Sequence, residues 1–327
     1  MCLICDGENI EEYVELDCSE CIELKEMPIL PQSIKGLDCS NCIELEELPE
    51  LPPGLDCLDC TGCHGLYELP ELPQGLKALI CRDCTELIKL PVLPQSLEIL
   101  ICYSCENLEE LPDLPEGLMV LDCSNCIELT VLPTLPTGLK SLNCSECTNL
   151  NEIPSIPKGL ETLYCHTCYK LTGLPELPQG LEILQCNDCY ELTELPELPE
   201  SLEKLNCSAC IVLRKFPKIP KNLKHLDCSA CFELVELPNL PESLETITAY
   251  RLTSLIFGPQ QAIDQTGEDI VDQNYNKWRQ KQCWKYFSIK EGIISEELIK
   301  VSCHPRRIRS YMDTNEMRFM FGEDIVQ

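Results

Sequence analysis

Apolar residues recur along this chain in a pattern that repeats every 21 residues. The unit reads LxxLxCxxCxxLxxLPxLPxxL, as in LEILICYSCENLEELPDLPEGL at 97–118. Its first cysteine returns eleven times, from Cys18 to Cys228, with no insertion or deletion between copies. A repeat this regular predicts a solenoid in which each unit stacks on the next.

The segment before the cysteines has the alternation of a β-strand. Leu100 and Cys102 are two residues apart and share one face of a strand, while Ile101 points to the other face. Successive units would add parallel strands at roughly 4.8 Å spacing, so twelve units would give a curved body about 55 Å long. We therefore predict a curved parallel β-sheet with the leucines and cysteines inside.

Proline determines how the chain returns from one strand to the next. Pro49 and Pro52, three residues apart, favour an extended, polyproline-like segment and exclude a helix. Leu48 and Leu51 precede these prolines and are expected to point inward. The convex side of the solenoid is predicted to be extended chain.

The repeat pattern divides the chain into three parts. Residues 1–12 are a partial repeat or cap, 13–255 the array of about twelve units, and 256–327 a different element. The twelfth unit keeps Leu244 and Ile247 but lacks both cysteines, as expected for a terminal repeat.

The last part holds both tryptophans and is predicted to be a small, mostly helical element. It either caps the open end of the solenoid or docks a partner through Arg306, Arg307 and Arg309.

Each CxxC pair is either a core element or half of a metal site. Four thiolates from two units could bind zinc, but each such centre would add negative charge to a chain of net charge −30. Disulfides need an oxidising compartment, and MCLICDGENIEEYVEL lacks the features of a secretion signal. We therefore expect buried, reduced thiols that behave as small hydrophobes, with no metal and no cofactor; disulfides and metal remain the alternatives.

The frame LxxLxCxxCxxL resembles the leucine-rich repeat LxxLxLxxNxL, with cysteine in the asparagine position. The LPELP half is similar to short repeats of secreted bacterial effectors and of large DNA viruses that infect amoebae. The resemblance implies a horseshoe-shaped scaffold that binds proteins. Some of these effectors carry a cysteine-dependent ubiquitin ligase domain after the repeats, which gives the alternative of an adaptor that recruits the host ubiquitin pathway through its C-terminal element.

No catalytic site is predicted. The ligase domains have an acidic residue two positions after the cysteine, and neither Cys283-Trp-Lys nor Cys303-His-Pro has one. His166 and Cys165 are neighbours on a strand and would point to opposite faces, so they would not form a catalytic pair. The chain is predicted to be a binding protein and not an enzyme.

Charge restricts the class of partner. The whole chain has 25 basic and 55 acidic residues, and residues 251–327 hold 11 of each, so residues 1–250 hold 14 and 44. An array of this kind repels nucleic acid and anionic membrane, and the chain has no apolar stretch long enough to span a bilayer. We expect a monomeric protein of the cytoplasm, or of the host cytoplasm if it is viral, with a protein partner.

Two candidate binding surfaces follow from the period. The first is an apolar patch on the concave face, rimmed by aspartates and formed by Ile80, Ile99, Ile101, Tyr103, Val120, Tyr164, Asp59 and Asp122. Alternatively, these apolar residues are present because they favour strands. The second is a basic cluster of Arg214, Lys215, Lys218, Lys221 and Lys224, which is either a site or a solvated face.

Overall fold

The computed structural model describes residue 4, residues 10–234 and residues 240–248. These residues form twelve strands of three residues each, paired in chain order into one parallel sheet. The strands are β1 Glu15–Asp17, β2 Gly36–Asp38, β3 Cys57–Asp59, β4 Ala78–Ile80, β5 Ile99–Ile101, β6 Val120–Asp122, β7 Ser141–Asn143, β8 Thr162–Tyr164, β9 Ile183–Gln185, β10 Lys204–Asn206, β11 His225–Asp227 and β12 Thr246–Thr248. The predicted solenoid with a parallel sheet is confirmed.

The sheet is in register with the 21-residue period. Leu100 of β5 lies opposite Leu79 of β4 and Leu121 of β6, and all three side chains are fully buried. Cys102 is buried on the same side, as the strand alternation predicts. Each unit therefore stacks its leucine and cysteine directly on those of its neighbours, and the buried side chains form one continuous core.

The return path contains no helix in the described part of the chain. Leu48 and Leu51 are buried, so the leucines of the LPxLP half point inward as predicted. A tight turn closes the path before each strand, as where the Leu118 N–H donates to the Pro115 carbonyl at 3.0 Å. Extended chain on the convex side therefore contributes buried leucines to the core without helical structure.

A serine hydroxyl joins neighbouring units on this return path. Ser96 Oγ donates to the carbonyls of Gln74 and Leu76, both at 2.7 Å, in the preceding unit. The same position holds Ser33, Ser201 and Ser243, which donate to the preceding unit in the same way. In most of the other units this position is glycine.

Replacing Gly117 by serine is therefore expected to raise the free energy of unfolding by about 1–2 kcal/mol. A Cβ at Gly117 would lie 3.5 Å from the Gln95 carbonyl oxygen and 3.9 Å from that of Leu97, which is ordinary contact. The new hydroxyl would contribute about 0.5–1.5 kcal/mol through its hydrogen bond, and loss of glycine's freedom in the unfolded chain about 0.4–1 kcal/mol. Urea unfolding followed by circular dichroism measures the change. Gly117→Ala is the matched control, and a serine variant no more stable than the alanine variant would show that no hydrogen bond forms.

The predicted limits of the array stay predictions. Strand β1 begins at Glu15 and β12 ends at Thr248, which agrees with an array over most of 13–255. Most of the N-terminal cap, the last residues of the array after 248 and the predicted helical element 256–327 lie outside the described residues. Across the described ranges, no helix has the length and apolar character needed to cross a membrane.

Candidate functional site

The predicted apolar patch lies on the outer face of strands β4 to β6. Ile101 of β5 pairs with Ile80 of β4, and Ile99 pairs with Val120 of β6, so these four side chains form one cluster. Ile101 and Val120 are half-buried, whereas Ile80 and Ile99 are each 8% exposed. The surface offered by this cluster therefore belongs mainly to Ile101 and Val120.

The two predicted tyrosines are in different places. Tyr103 lies two residues past the last residue of β5 and extends the cluster beyond the end of the strand. Tyr164 lies on β8, two strands beyond β6, and is only 5% exposed. The structure thus brings Tyr103 into the patch and places Tyr164 outside it.

Arg82 is a member of this region that the sequence analysis missed. Its Nη1 donates a hydrogen bond to the Tyr103 hydroxyl at 2.8 Å, and its guanidinium lies 5.6 Å from the centre of the Tyr103 ring. A cation at this distance is attracted to the negative face of the ring. Arg82 therefore restrains Tyr103 and adds the positive charge at this edge of the patch.

The rim aspartates cap the turns that follow their strands. Asp122 Oδ1 accepts from the Ser124 N–H at 3.0 Å and from its hydroxyl at 2.6 Å, and Asp59 accepts from the Thr61 N–H at 3.0 Å. Burial raises the pKa of Asp59, and the two hydrogen bonds from Thr61 oppose that rise. These carboxylates therefore stabilise the fold as well as bordering the patch.

The same cap recurs in seven turns, in which an aspartate or asparagine precedes the first cysteine and serine or threonine follows it. The pairs are Asp17 with Ser19, Asp38 with Ser40, Asp59 with Thr61, Asp122 with Ser124, Asn143 with Ser145, Asn206 with Ser208, and Asp227 with Ser229. The other four turns lack this pair and have Ile80 with Arg82, Ile101 with Tyr103, Tyr164 with His166, and Gln185 with Asn187. The interruption of the cap is the sequence signal that could have identified Arg82.

In ten of the eleven pairs, the second cysteine holds adjacent units together. Cys126 Sγ donates to the carbonyl of Cys102, 24 residues earlier, at 3.2 Å, and Cys63 Sγ donates to that of Cys39 at 3.0 Å. This contact recurs at Cys42, Cys84, Cys105, Cys147, Cys168, Cys189, Cys210 and Cys231. The expectation that these cysteines are small hydrophobes was therefore incomplete, because their thiols are also hydrogen-bond donors.

Most thiols of the CxxC pairs are buried in the core. The 22 cysteines of the eleven pairs are free, and all but Cys21 are buried. Burial raises the pKa of Cys165 and of Cys189, which keeps these thiols protonated. Within the described ranges, no group of three or more cysteine, histidine or acidic side chains is placed to hold a metal ion. The thiol of the second cysteine thus joins its unit to the preceding one.

Each CxxC turn also has a residue in the left-handed conformation. The residue before the second cysteine has φ between 54° and 66° in all eleven turns. It is Gly62 in one turn and Asn41, Asn125, Asp83 or Asp188 in four others, all types that tolerate this conformation. Thr167 adopts it as well, with φ 60°, although a β-branched side chain disfavours it. The repeated fold therefore imposes this turn even where the local sequence opposes it.

Ion pairs with neighbouring units compensate part of the predicted basic cluster. Arg214 pairs with Glu233 at 3.0 Å, Lys218 with Glu200 at 3.4 Å, and Lys224 with Glu203 at 2.6 Å. The Lys221 backbone N–H also donates to Glu200, and Lys215 is exposed. Exposed pairs of this kind contribute little stability, and this arrangement is typical of a solvated face.

Comparison with known proteins gives a match at the level of solved structures. No protein-family model and no curated protein sequence matches the chain. YopM from Yersinia enterocolitica is 35% identical over a match that covers 69% of this chain and 53% of that chain, with a TM-score of 0.53. This chain therefore matches about half the length of that protein.

Two further structures are similar at lower TM-scores. A YopM described as a leucine-rich effector protein from Yersinia pestis is 26% identical, covering 72% of this chain and 88% of that one, with a TM-score of 0.33. A leucine-rich repeat protein from Bacteroides ovatus is 17% identical, covering 65% of this chain and 76% of that one, with a TM-score of 0.35. These neighbours are bacterial, and the resemblance to viral repeats stays a prediction. With the in-register sheet and its leucine ladder, the match to YopM from Yersinia enterocolitica identifies this chain as a leucine-rich repeat solenoid.

Proposed function

We propose that this chain is a non-enzymatic scaffold that binds a protein partner on the outer face of its sheet, at strands β4 to β6. The observation that carries the proposal is the cluster of Ile101, Tyr103 and Val120, three partly exposed apolar side chains on adjacent units of an acidic array. In leucine-rich repeat proteins this face lines the inside of the horseshoe.

The surroundings of the cluster have the organisation of a protein interface. Asp122 lies opposite Ile101 in the strand pairing, and Asp59 lies opposite Ile80, so carboxylates border the apolar centre on both sides. An apolar centre with a polar rim is the usual anatomy of such interfaces. The proposed partner therefore presents an apolar side chain surrounded by basic residues.

The charge of the array supports a protein in preference to a nucleic acid. Residues 1–250 carry 44 acidic and 14 basic residues, and such an excess repels a phosphate backbone. It also disfavours close contact between two arrays, which supports the proposed monomer. Catalysis is not part of the proposal, since the site contains no pair of nucleophile and base.

The double variant Ile101→Asp with Tyr103→Ala is expected to lose the partner. A carboxylate in the apolar centre would have to be desolvated on binding, and truncation removes the aromatic contact, so affinity should fall at least tenfold. The full-length chain and the variant are compared as baits in cytosolic extract. The dissociation constant is then measured with the purified partner by titration calorimetry.

The matched control is Ile29→Asp, because Ile29 is an exposed isoleucine on the return path, away from the sheet face. Circular dichroism and thermal unfolding establish that both variants are folded. If the double variant retains every protein that the parent chain captures, the proposed site on β4 to β6 is wrong.

A further inference from the structure

A second surface lies just past the ends of the strands, at the residue that follows each second cysteine. Over five consecutive units this position holds Ile127, Thr148, Tyr169, Tyr190 and Ile211, which we call the flank column. The Tyr169 and Tyr190 rings stack with centroids 4.9 Å apart and planes 8° from parallel. Both tyrosines remain exposed, at 39% and 40%.

The turn itself does not require aromatic residues at this position. The equivalent residue is His64, Thr85 or Glu106 in three other turns, all with the same left-handed residue and buried cysteines. Ring stacking contributes to stability, which gives the tyrosines a structural role. That role does not account for an exposed aromatic pair at the centre of an apolar column.

The charges beside Tyr190 are negative. Asp188 lies two residues before Tyr190 in the same turn, and Glu191 follows Tyr190 directly and is exposed. The nearest base in sequence, Lys170, donates from Nζ to Asn149 Oδ1 at 2.7 Å, in the preceding unit. Carboxylates therefore flank Tyr190 in the sequence, whereas the amine of Lys170, which follows Tyr169, is directed to the preceding unit.

We propose that Tyr169 and Tyr190 form a docking site for an extended, arginine-bearing peptide segment of a partner protein. The methylene stems of arginine side chains would lie along the ring edges, and their guanidinium groups would reach the carboxylates of Asp188 and Glu191. Side chains on one face of an extended chain recur about every 6.7 Å, so two of them span the stacked pair, whose centroids are 4.9 Å apart. The flank column shares no residue with the patch on β4 to β6, so this site stands or fails independently of the proposed function.

A fluorescent octapeptide of alternating arginine and proline is the probe, titrated into the full-length chain by anisotropy at two salt concentrations. Tyr169→Ser with Tyr190→Ser is expected to weaken binding at least tenfold. Because this change leaves the net charge of −30 untouched, loss of binding cannot come from weaker general attraction of a cation to the acidic array. The second variant, Asp188→Asn with Glu191→Gln, is expected to weaken binding and to reduce its salt dependence.

The matched control is Ile22→Ser with Ile43→Ser, which removes two exposed apolar residues from the same turn position near the other end of the array. It is expected to bind the peptide as the parent chain does. Circular dichroism checks that every variant is folded, and the charge variant provides the test if the tyrosine variant is not. The proposal is overturned if the folded tyrosine or charge variant binds like the parent, or if the control loses as much affinity as the tyrosine variant.

Discussion

Replacing Leu121 by alanine is expected to lower the free energy of unfolding by about 2–5 kcal/mol, the cost of a cavity in a well-packed core. Leu121 is fully buried in β6, between Leu100 of β5 and Leu142 of β7. Six strands follow β6, so the defect lies in the middle of the sheet. A cavity here weakens the interfaces of this unit with both of its neighbours.

The position of the defect should affect the result as much as its chemistry. Leu16 is the equivalent residue of β1 and is also buried, but among the described strands β1 has a sheet neighbour on one side only. A terminal unit can open while the rest of the array stays folded, so Leu16→Ala is expected to lower global stability by less than half as much. Urea unfolding under reducing conditions, followed by circular dichroism, measures both variants. Equal losses of stability in the two variants would show that all repeats unfold together, so that the position of the cavity along the array has no effect.

Lowering the pH from about 6.5 to about 4 is expected to remove a contribution of His166 to stability of about 3 kcal/mol. The imidazole is 3% exposed, and burial lowers its pKa from 6.5 to about 4, against the opposing effect of Asp188. Between these two values the unfolded chain binds a proton that the folded chain excludes. Stability from this group is therefore complete above 6.5 and decreases as the pH falls to 4.

His166→Gln isolates this term from the other groups that titrate. Burial and neighbouring carboxylates raise the pKa of Glu182, and burial raises that of Asp227, which favours the folded chain as the pH falls. Subtracting the variant's stability from that of the parent at each pH cancels these contributions. The difference should fall by about 3 kcal/mol between pH 7 and pH 4. The matched control is His64→Gln, because His64 is exposed. A difference that does not change with pH would contradict a buried, neutral His166.

The sequence was sufficient to predict the features that depend on spacing alone. The 21-residue period placed the strands, the alternation placed Leu100 inside and Ile101 outside, and the prolines excluded helices from the return path. Each of these follows from local backbone geometry, which is the same in every unit. The leucine-rich repeat fold could therefore be predicted from the residues.

The contacts between units could not be predicted in the same way. The bond from the Cys126 thiol to the Cys102 carbonyl joins residues 24 apart, and its existence depends on where stacking places the preceding turn. Some contacts within a unit were also not predicted. Asn143-Cys-Ser has the form of a glycosylation sequon, but its asparagine and serine are hydrogen-bonded to each other in a turn cap. The alternation of residues along a strand predicts on which face a side chain lies, but not how much of the side chain is exposed. The structure was therefore needed to show that Ile80 and Ile99 are buried.

The in-register sheet has a consequence for how such a chain can change in length. Since every unit bonds to the next through the same positions, removal of 21 consecutive residues brings together two surfaces that already fit. Removal of 20 residues would shift the following unit by one position in the register. Its thiol would then no longer lie opposite the carbonyl that accepts from it, and its leucines would turn toward solvent. Slippage or recombination within the gene is therefore tolerated only in whole units, and the array can gain or lose binding surface in steps of one strand while its core chemistry stays constant.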